Sequence, residues 1–290
     1  MRKLFRSVAV CAIGVGLSAF SIAVAQTYTT VDYPGAAATT LNGGPNVEGT
    51  SVGTYTDSAG ATHGFKLNVF GHFTAFDPPG ATATTPNFIS PEGTIVGGYV
   101  DASGVSHGFV LTGDHYRNVD FPGAAGTELT GLNPQGEMTG FTCSDAACAN
   151  PLESFTVSPR GAFTAFNPPG AVTSEASTVN LEGAIVGAYT DSGGTTHGYL
   201  LYHGSYVTID YPGSIFTFCG GNNALGAIVG AWQDTAGTFH SFLLTHGSFT
   251  SFDPPGATGG SDASGINVEG TIVGLYADSA GAVHGFIRRP

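Results

Sequence analysis

Five acidic residues stand six positions before a histidine: Asp57 and His63, Asp101 and His107, Asp191 and His197, Asp234 and His240, Asp278 and His284. A carboxylate beside an imidazole can be an oriented general base, and two such side chains can begin a metal site. With only a short turn between them, the partners of each pair come together at a hairpin end. Repetition argues against either chemistry. Catalysis needs one asymmetric constellation, and two ligands per copy fall short of the three or four protein ligands that zinc takes. A fold, by contrast, needs the same stitch in every unit. The pairs are therefore expected to be structural hydrogen bonds, and no catalytic residue, metal ligand or cofactor is assigned.

A second set of acids, Asp32, Asp77, Asp120, Asp210 and Asp253, opens five of six copies of a D-x-P-G motif, and the remaining copy, the fourth along the chain, carries Asn167. Asn and Asp both bond to backbone in turns, so turn capping is the expected role. Glu48, Glu92, Glu182 and Glu269 share a further turn position with Gln135 and Leu225, which suits a solvated rim. Function is expected where the pattern breaks. In the third unit Phe141 and Phe155 are fourteen residues apart where other units have ten. That loop carries Cys143 and Cys148, close enough to bridge, and replaces the histidine with Glu153. Glu153 and the neighbouring non-repeated Glu128, Glu137 and Arg160 are the candidate binding residues. The competing reading is a drifted unit restapled by a disulfide. Trp232 occupies the position of Tyr55 and Tyr99, so it is expected in the core, and Cys219 is left as a free buried thiol.

These residues are positioned by an internal repeat. The Pro-Gly glycines, Gly35, Gly80, Gly123, Gly170, Gly213 and Gly256, are spaced 45, 43, 47, 43 and 43 residues apart. The glycines of the IVG-type segment, Gly53, Gly97, Gly140, Gly187, Gly230 and Gly274, keep the same step. Segments 94–101, 106–112 and 72–77 read as strands, with a weaker strand before the N-x-E-G turn. Pro79-Gly80 suits the centre of a type II turn, where glycine supplies positive φ. No window has helical periodicity. Four strands in about 44 residues match a propeller blade, so the expected architecture is all-β: a six-bladed β-propeller over residues 26–290. Segment 27–36 has the form of a unit's last strand and 283–289 that of its third, so the N-terminal strand is expected to complete the final blade and close the ring.

The pattern N-x-E-G-x-I-V-G-x-Y-x-D-x-x-G-x-x-H-G-F, followed by F-T-x-F-D-x-P-G-A, resembles the HAF family of bacterial extracellular repeat proteins. The likeness covers residues 27–289, with His-Gly-Phe at His63, His107 and His284 and variants at His197 and His240. It implies a repeat architecture and export, and it carries no established activity.

Composition agrees with that reading. Of 290 residues 45 are Gly and 16 are Pro, and only 10% are charged while 11% are aromatic, which excludes both disorder and long salt-bridged helices. Residues 1–25 read as a secretory signal: Arg2, Lys3 and Arg6, an apolar stretch, then Ala23 and Ala25 before Gln26. Without them 21 acids face five cations, a formal charge of −16. Such a surface repels polyanions, so a nucleic-acid partner is not expected. The chain is expected to be secreted, extracellular or periplasmic, with no membrane span after signal cleavage, and monomeric. No G-x-S-x-G elbow, P-loop or H-E-x-x-H helix is present. The expected function is a non-catalytic binding or interaction module for a glycan or a surface protein. The alternatives are a propeller hydrolase or lyase with acids near the axis, or a structural envelope component.

Overall fold

The computed structural model describes residues 26–290, and the expected signal segment 1–25 lies outside the described residues. The described chain contains 24 strands and no helix. β1 (Thr27–Val31) is followed by β2 (Ala38–Gly43), β3 (Ser51–Thr56), β4 (Thr62–Leu67) and β5 (Phe73–Phe76), then by β6 (Ala81–Ile89), β7 (Ile95–Asp101), β8 (Ser106–Thr112) and β9 (His115–Asn118). Next come β10 (Gly126–Leu132), β11 (Met138–Cys143), β12 (Pro151–Val157) and β13 (Phe163–Phe166), and β14 (Ala171–Val179), β15 (Ile185–Asp191), β16 (Thr196–Tyr202) and β17 (Ser205–Ile209). β18 (Phe216–Asn222), β19 (Ile228–Gln233), β20 (Phe239–Thr245) and β21 (Ser248–Phe252) precede β22 (Ser261–Ile266), β23 (Ile272–Ala277) and β24 (Val283–Arg289).

Four sheets have four strands each: β2 to β5, β6 to β9, β10 to β13, and β22, β23, β24 with β1. β14 to β21 make an eight-stranded sheet, in which β16 and β18 meet only through the parallel bridge of Thr196 with Phe216. The first strands of successive runs, β2, β6, β10, β14, β18 and β22, touch one another in a closed circuit that returns from β22 to β2. The fold is an all-β propeller. β1 pairs antiparallel with β24 from Thr27–Arg289 to Val31–Gly285, so the two ends of the described chain share one sheet.

The repeated residues explain the geometry. In each run the IVG-type glycine opposes the inner strand at a bulge. A Cβ on Gly97 would run into the Thr85 carbonyl and the Phe109 ring, and one on Gly53 into the Thr40 carbonyl and Phe65. Glycine thus admits the aromatic of the His-Gly-Phe segment, and Phe65, Phe109, Phe155, Phe242 and Phe286 are fully buried between sheets. Ala81 N donates to the Pro78 carbonyl across the Pro-Gly turn, with Gly80 at φ 82°, as a type II turn requires. The Asn of the N-x-E-G turn accepts at Oδ1 from two backbone amides: Glu48 and Thr50 for Asn46, Glu182 and Ala184 for Asn180. Its Nδ2 then donates to the next run, from Asn46 to the Ser90 carbonyl, Asn180 to Asn223, and Asn223 to Asn267. One residue type therefore closes its own turn and ties neighbouring sheets around the axis.

Candidate functional site

Every inner strand runs from a Pro-Gly turn at one end of the ring, the hairpin face, to a turn of the N-x-E-G type or a variant of it at the other, the turn face. The Asp-x5-His residues lie on the hairpin face, and each histidine has two acidic neighbours. Nδ1 bonds the D-x-P-G acid: His63 to Asp77 at 2.8 Å, His107 to Asp120 at 3.1 Å, His197 to Asp210 at 2.9 Å, His240 to Asp253 at 2.8 Å, and His284 to Asp32 at 2.7 Å. Nε2 lies 3.5 Å from Asp57, Asp101 and Asp278, and 3.6 Å from Asp191 and Asp234. The expected pairs are therefore in contact, and a second acid lies closer to each histidine. The acid six residues before the histidine caps its own turn, as Asp57 Oδ1 accepts from the Ala59 and Ala61 amides. The D-x-P-G acid, expected to be the cap, makes the shorter bond to imidazole. Spacing along the chain hid this contact, because it crosses from the third strand to the end of the fourth.

Hydrogen bonding to Asp77 raises His63 above the ordinary histidine value, and bonding to Asp32 does the same for His284. Backbone amides from Ala61 and Ala282 hold Asp57 and Asp278 below the usual carboxylate value. Each cluster is a clamp between a turn and the next inner strand. In the third run the pair changes together: Asn167 Nδ2 donates to Glu153 Oε1 at 3.0 Å, and Asn167 Oδ1 accepts from Ser174 at 2.6 Å. Donor and acceptor have swapped sides and the bond survives, so Asn167 reports a compensated exchange with Glu153.

The four candidate binding residues do not converge. Glu128 is enclosed against Gly98 and receives hydrogen bonds from Ser106 Oγ at 3.0 Å and Asn87 Nδ2 at 3.4 Å. Burial pushes its carboxyl up to about 7. Glu153 sits on the hairpin face with Asn167. Glu137 lies at an N-x-E-G-type turn, where Asn133 Nδ2 reaches it at 3.3 Å. Arg160 is at an outer turn, sharing a groove of about 560 Å³ with Arg117 and Asp120. The inserted loop is a brace. Cys143 and Cys148 are disulfide-bonded, Asp145 gathers the Ala149 and Asn150 amides, and the Ala146 carbonyl accepts from the Ser106 amide of the preceding run at 2.6 Å. Trp232 is half-buried, stacked on Tyr211 at 4.1 Å with Nε1 bonded to Ser251, and Cys219 is free and buried.

One concave feature lies at a mouth of the ring. On the turn face a cavity of about 240 Å³ is lined by the residue after each turn-opening position: Val47, Pro91, Pro134, Leu181, Ala224 and Val268. All six are apolar, Val47 is 74% exposed and Val268 is 53% exposed. The exposed acids Glu48, Glu92, Glu182 and Glu269 come next in sequence, and Glu269 itself lines the cavity. The polar groups just inside are already engaged: Asn42 with the Pro86 carbonyl, Asn87 with Leu129, Thr130 with Ala176, and Asn222 with Ala184. What remains for a ligand there is an apolar ring inside an acidic one. Sequence reading passed over these valines, leucine and prolines because each alone is an unremarked turn residue.

Toward the hairpin face two further acids stand half-buried on inner strands. Glu175 of β14 is pushed up to about 7 by burial and then by the charge of Asp262, and Asp262 of β22 is pushed up to about 6 by burial. Among the described residues no three His, Cys, Asp or Glu side chains converge as a metal site would require.

No family model matches this sequence, and no curated protein resembles it closely. Solved structures share its shape. A TolB-type protein of Agrobacterium tumefaciens superposes with a TM-score of 0.58 at 14% identity, covering 87% of this chain and 90% of that one. The fungal Aleuria aurantia lectin, described as a six-bladed β-propeller that recognises fucose, gives 0.54 at 11%, with 86% and 90% covered. Virginiamycin B lyase of Staphylococcus aureus gives 0.53 at 13%, with 90% and 99% covered. At these identities the likeness is one of fold. A binding protein and a lyase stand side by side in it, so the fold does not choose between them.

Proposed function

We propose that the chain is an exported, six-bladed member of the HAF repeat group that acts as a non-catalytic binding module, engaging an apolar, positively flanked segment of a surface protein at the turn face. The count of six takes β14 to β17 and β18 to β21 as separate blades, a reading supported by their sharing a single strand-pairing bridge, Thr196 with Phe216. The observation that carries the function is the apolar annulus and its acidic rim. Monomeric proteins seldom leave a contiguous apolar ring in water unless something covers it. Burying a valine or leucine contributes roughly 1.5–3 kcal/mol, and the rim of four glutamates adds attraction for a cationic flank and repulsion of an anionic one. Export is supported by the disulfide and by the composition of residues 1–25. No described helix is long and apolar enough to cross a membrane.

Calorimetric titration with synthetic dodecapeptides tests the reading. A Leu/Arg peptide should bind at least tenfold more tightly than its Leu/Glu counterpart, lose affinity at high salt, and lose it again in a Val47→Ser, Leu181→Ser, Val268→Ser triple variant. Equal affinity for the two peptides, or full affinity in the variant, would overturn it. A selective glycan-array signal with no peptide binding would move the function to sugar recognition.

A further inference from the structure

The hairpin face carries an open wedge between the β18–β21 and β22–β24 strands. Its cavity, about 400 Å³, is walled by Phe216, Phe218, Phe239 and Leu275, with Asp262 in its lining. Phe216 and Phe239 meet edge to face at 5.3 Å, and Phe239 is 37% exposed at the entrance. The wedge has a local cause. Gly259 and Gly260 line it without side chains, and a Cβ on Gly259 would crowd Ala277. This run also has one more residue than the others between its Pro-Gly glycine and the buried hydroxyl that pairs with the second-strand aromatic: Gly256 to Ser261, against Gly213 to Thr217.

Asp262 is the anomaly in this wall. Its Oδ1 has no exposed surface and no hydrogen-bond partner. The corresponding Glu128 of β10, by contrast, has Ser106 and Asn87 as donors. A buried carboxyl without a donor is costly, and burial raises it to about 6. A second carboxyl, Glu175, lines an adjoining cavity that shares Phe216. Three aromatic rings sharing one cavity lining with an acid whose Oδ1 lacks a donor form the setting in which a cation gains from both charge pairing and ring quadrupoles. The two acids without a third ligand suit an organic ammonium better than a metal ion.

We propose that this wedge is a binding site for a small organic ammonium with an apolar body, its N–H donors directed to Asp262 and its apolar part held by Phe216, Phe218 and Phe239. The site is separate from the turn-face annulus and does not depend on it.

The probe is phenethylammonium chloride, with 2-phenylethanol as a neutral molecule of the same shape, titrated into the full chain by calorimetry. Phenethylammonium should saturate one site, and 2-phenylethanol should bind at least tenfold more weakly. Asp262→Asn, a change of nearly equal volume, should weaken the cation at least tenfold while leaving the weak binding of the alcohol unaltered. Phe239→Ala, at the exposed entrance, should weaken both probes, and it decides the matter if Asp262→Asn does not fold. Absence of saturable binding, equal affinity for the two probes, or undiminished cation affinity in a folded variant would overturn the assignment.

Discussion

His63 and Gly97 show how a single residue type is dictated by its surroundings. His63 holds two acids, Asp57 of its own hairpin and Asp77 of the next turn, and its ring stacks on Tyr55 with centroids 5.0 Å apart. Each copy fastens three pieces of chain at the hairpin face, with an acid beside each ring nitrogen. Gly97 is constrained by space, because the Thr85 carbonyl and the Phe109 ring leave no room for a methyl group. Gly71 differs: it needs positive φ, at 81°, but a Cβ there meets nothing. Gly97→Ala should therefore cost upwards of about 3 kcal/mol through steric conflict in the core, and Gly71→Ala about 1 kcal/mol through backbone strain. Urea melts of the two variants check this; similar midpoints for both would mean that close approach is not what selects glycine at position 97.

At the level of strands, the Pro-Gly motif comes in two forms that alternate along the chain. In V-D-Y-P-G and its relatives the aromatic follows the acid: Tyr33 packs on Tyr55, Phe65 and Phe73, Phe121 on Phe155 and Phe163, and Tyr211 on Trp232, Phe242 and Phe249. In F-D-P-P-G it precedes the acid: Phe76 meets Phe109, and Phe252 meets Phe286. Each junction between runs receives one ring from the preceding outer strand, and the acid between the two positions stays free to reach its histidine. β1 belongs to this system. It supplies Val31 and Tyr33 to the core around Leu41 and Phe65, pairs with β24, and brings Asp32 to His284. Deleting residues 27–36 removes an edge strand, one clamp and one ring together, so thermal unfolding should broaden or give way to aggregation. A calorimetric transition as sharp and as high as that of the full chain would show that β1 does not hold the ring shut.

For the molecule as a whole, the titrating groups set a direction with pH. Glu128, Glu175 and Asp262 are raised, so between about pH 4 and pH 7 the folded chain holds protons that the unfolded chain has released, and stability falls as pH rises. His63, His240 and His284 are raised as well. Their contribution is complete below the unfolded histidine value and is lost as pH climbs through the folded one. The turn acids Asp57, Asp101, Asp191, Asp234 and Asp278 are lowered. They add stability above their unfolded value, which disappears as pH drops through the folded one. The melting temperature should therefore peak in mildly acidic solution, about pH 4–6, and decline toward pH 8. Glu175→Gln with Asp262→Asn should flatten that decline. A scanning-calorimetry series in which the melting temperature rises from pH 5 to pH 8 would sink this account.

The repeat length, the strands within it and the turns that join them were legible in the sequence, because each rests on local rules. Glycine takes positive φ, proline-glycine makes a turn, Asn caps one, and β-branched and aromatic residues alternate along a strand. The same locality misled the reading of function. Asp57 and His63 are close in the chain and do meet, at 3.5 Å, but the shorter bond goes to Asp77, in the turn after β5. Glu128, Glu137, Glu153 and Arg160 depart from the repeat in one stretch of sequence, yet the sheets carry them to different ends of the ring. Only the tertiary structure assembles the annulus of Val47, Pro91, Pro134, Leu181, Ala224 and Val268, and only it leaves Asp262 without a donor among phenylalanines. Both arise because closing a ring brings together residues some 44 positions apart, once per repeat, and no window of sequence spans that distance.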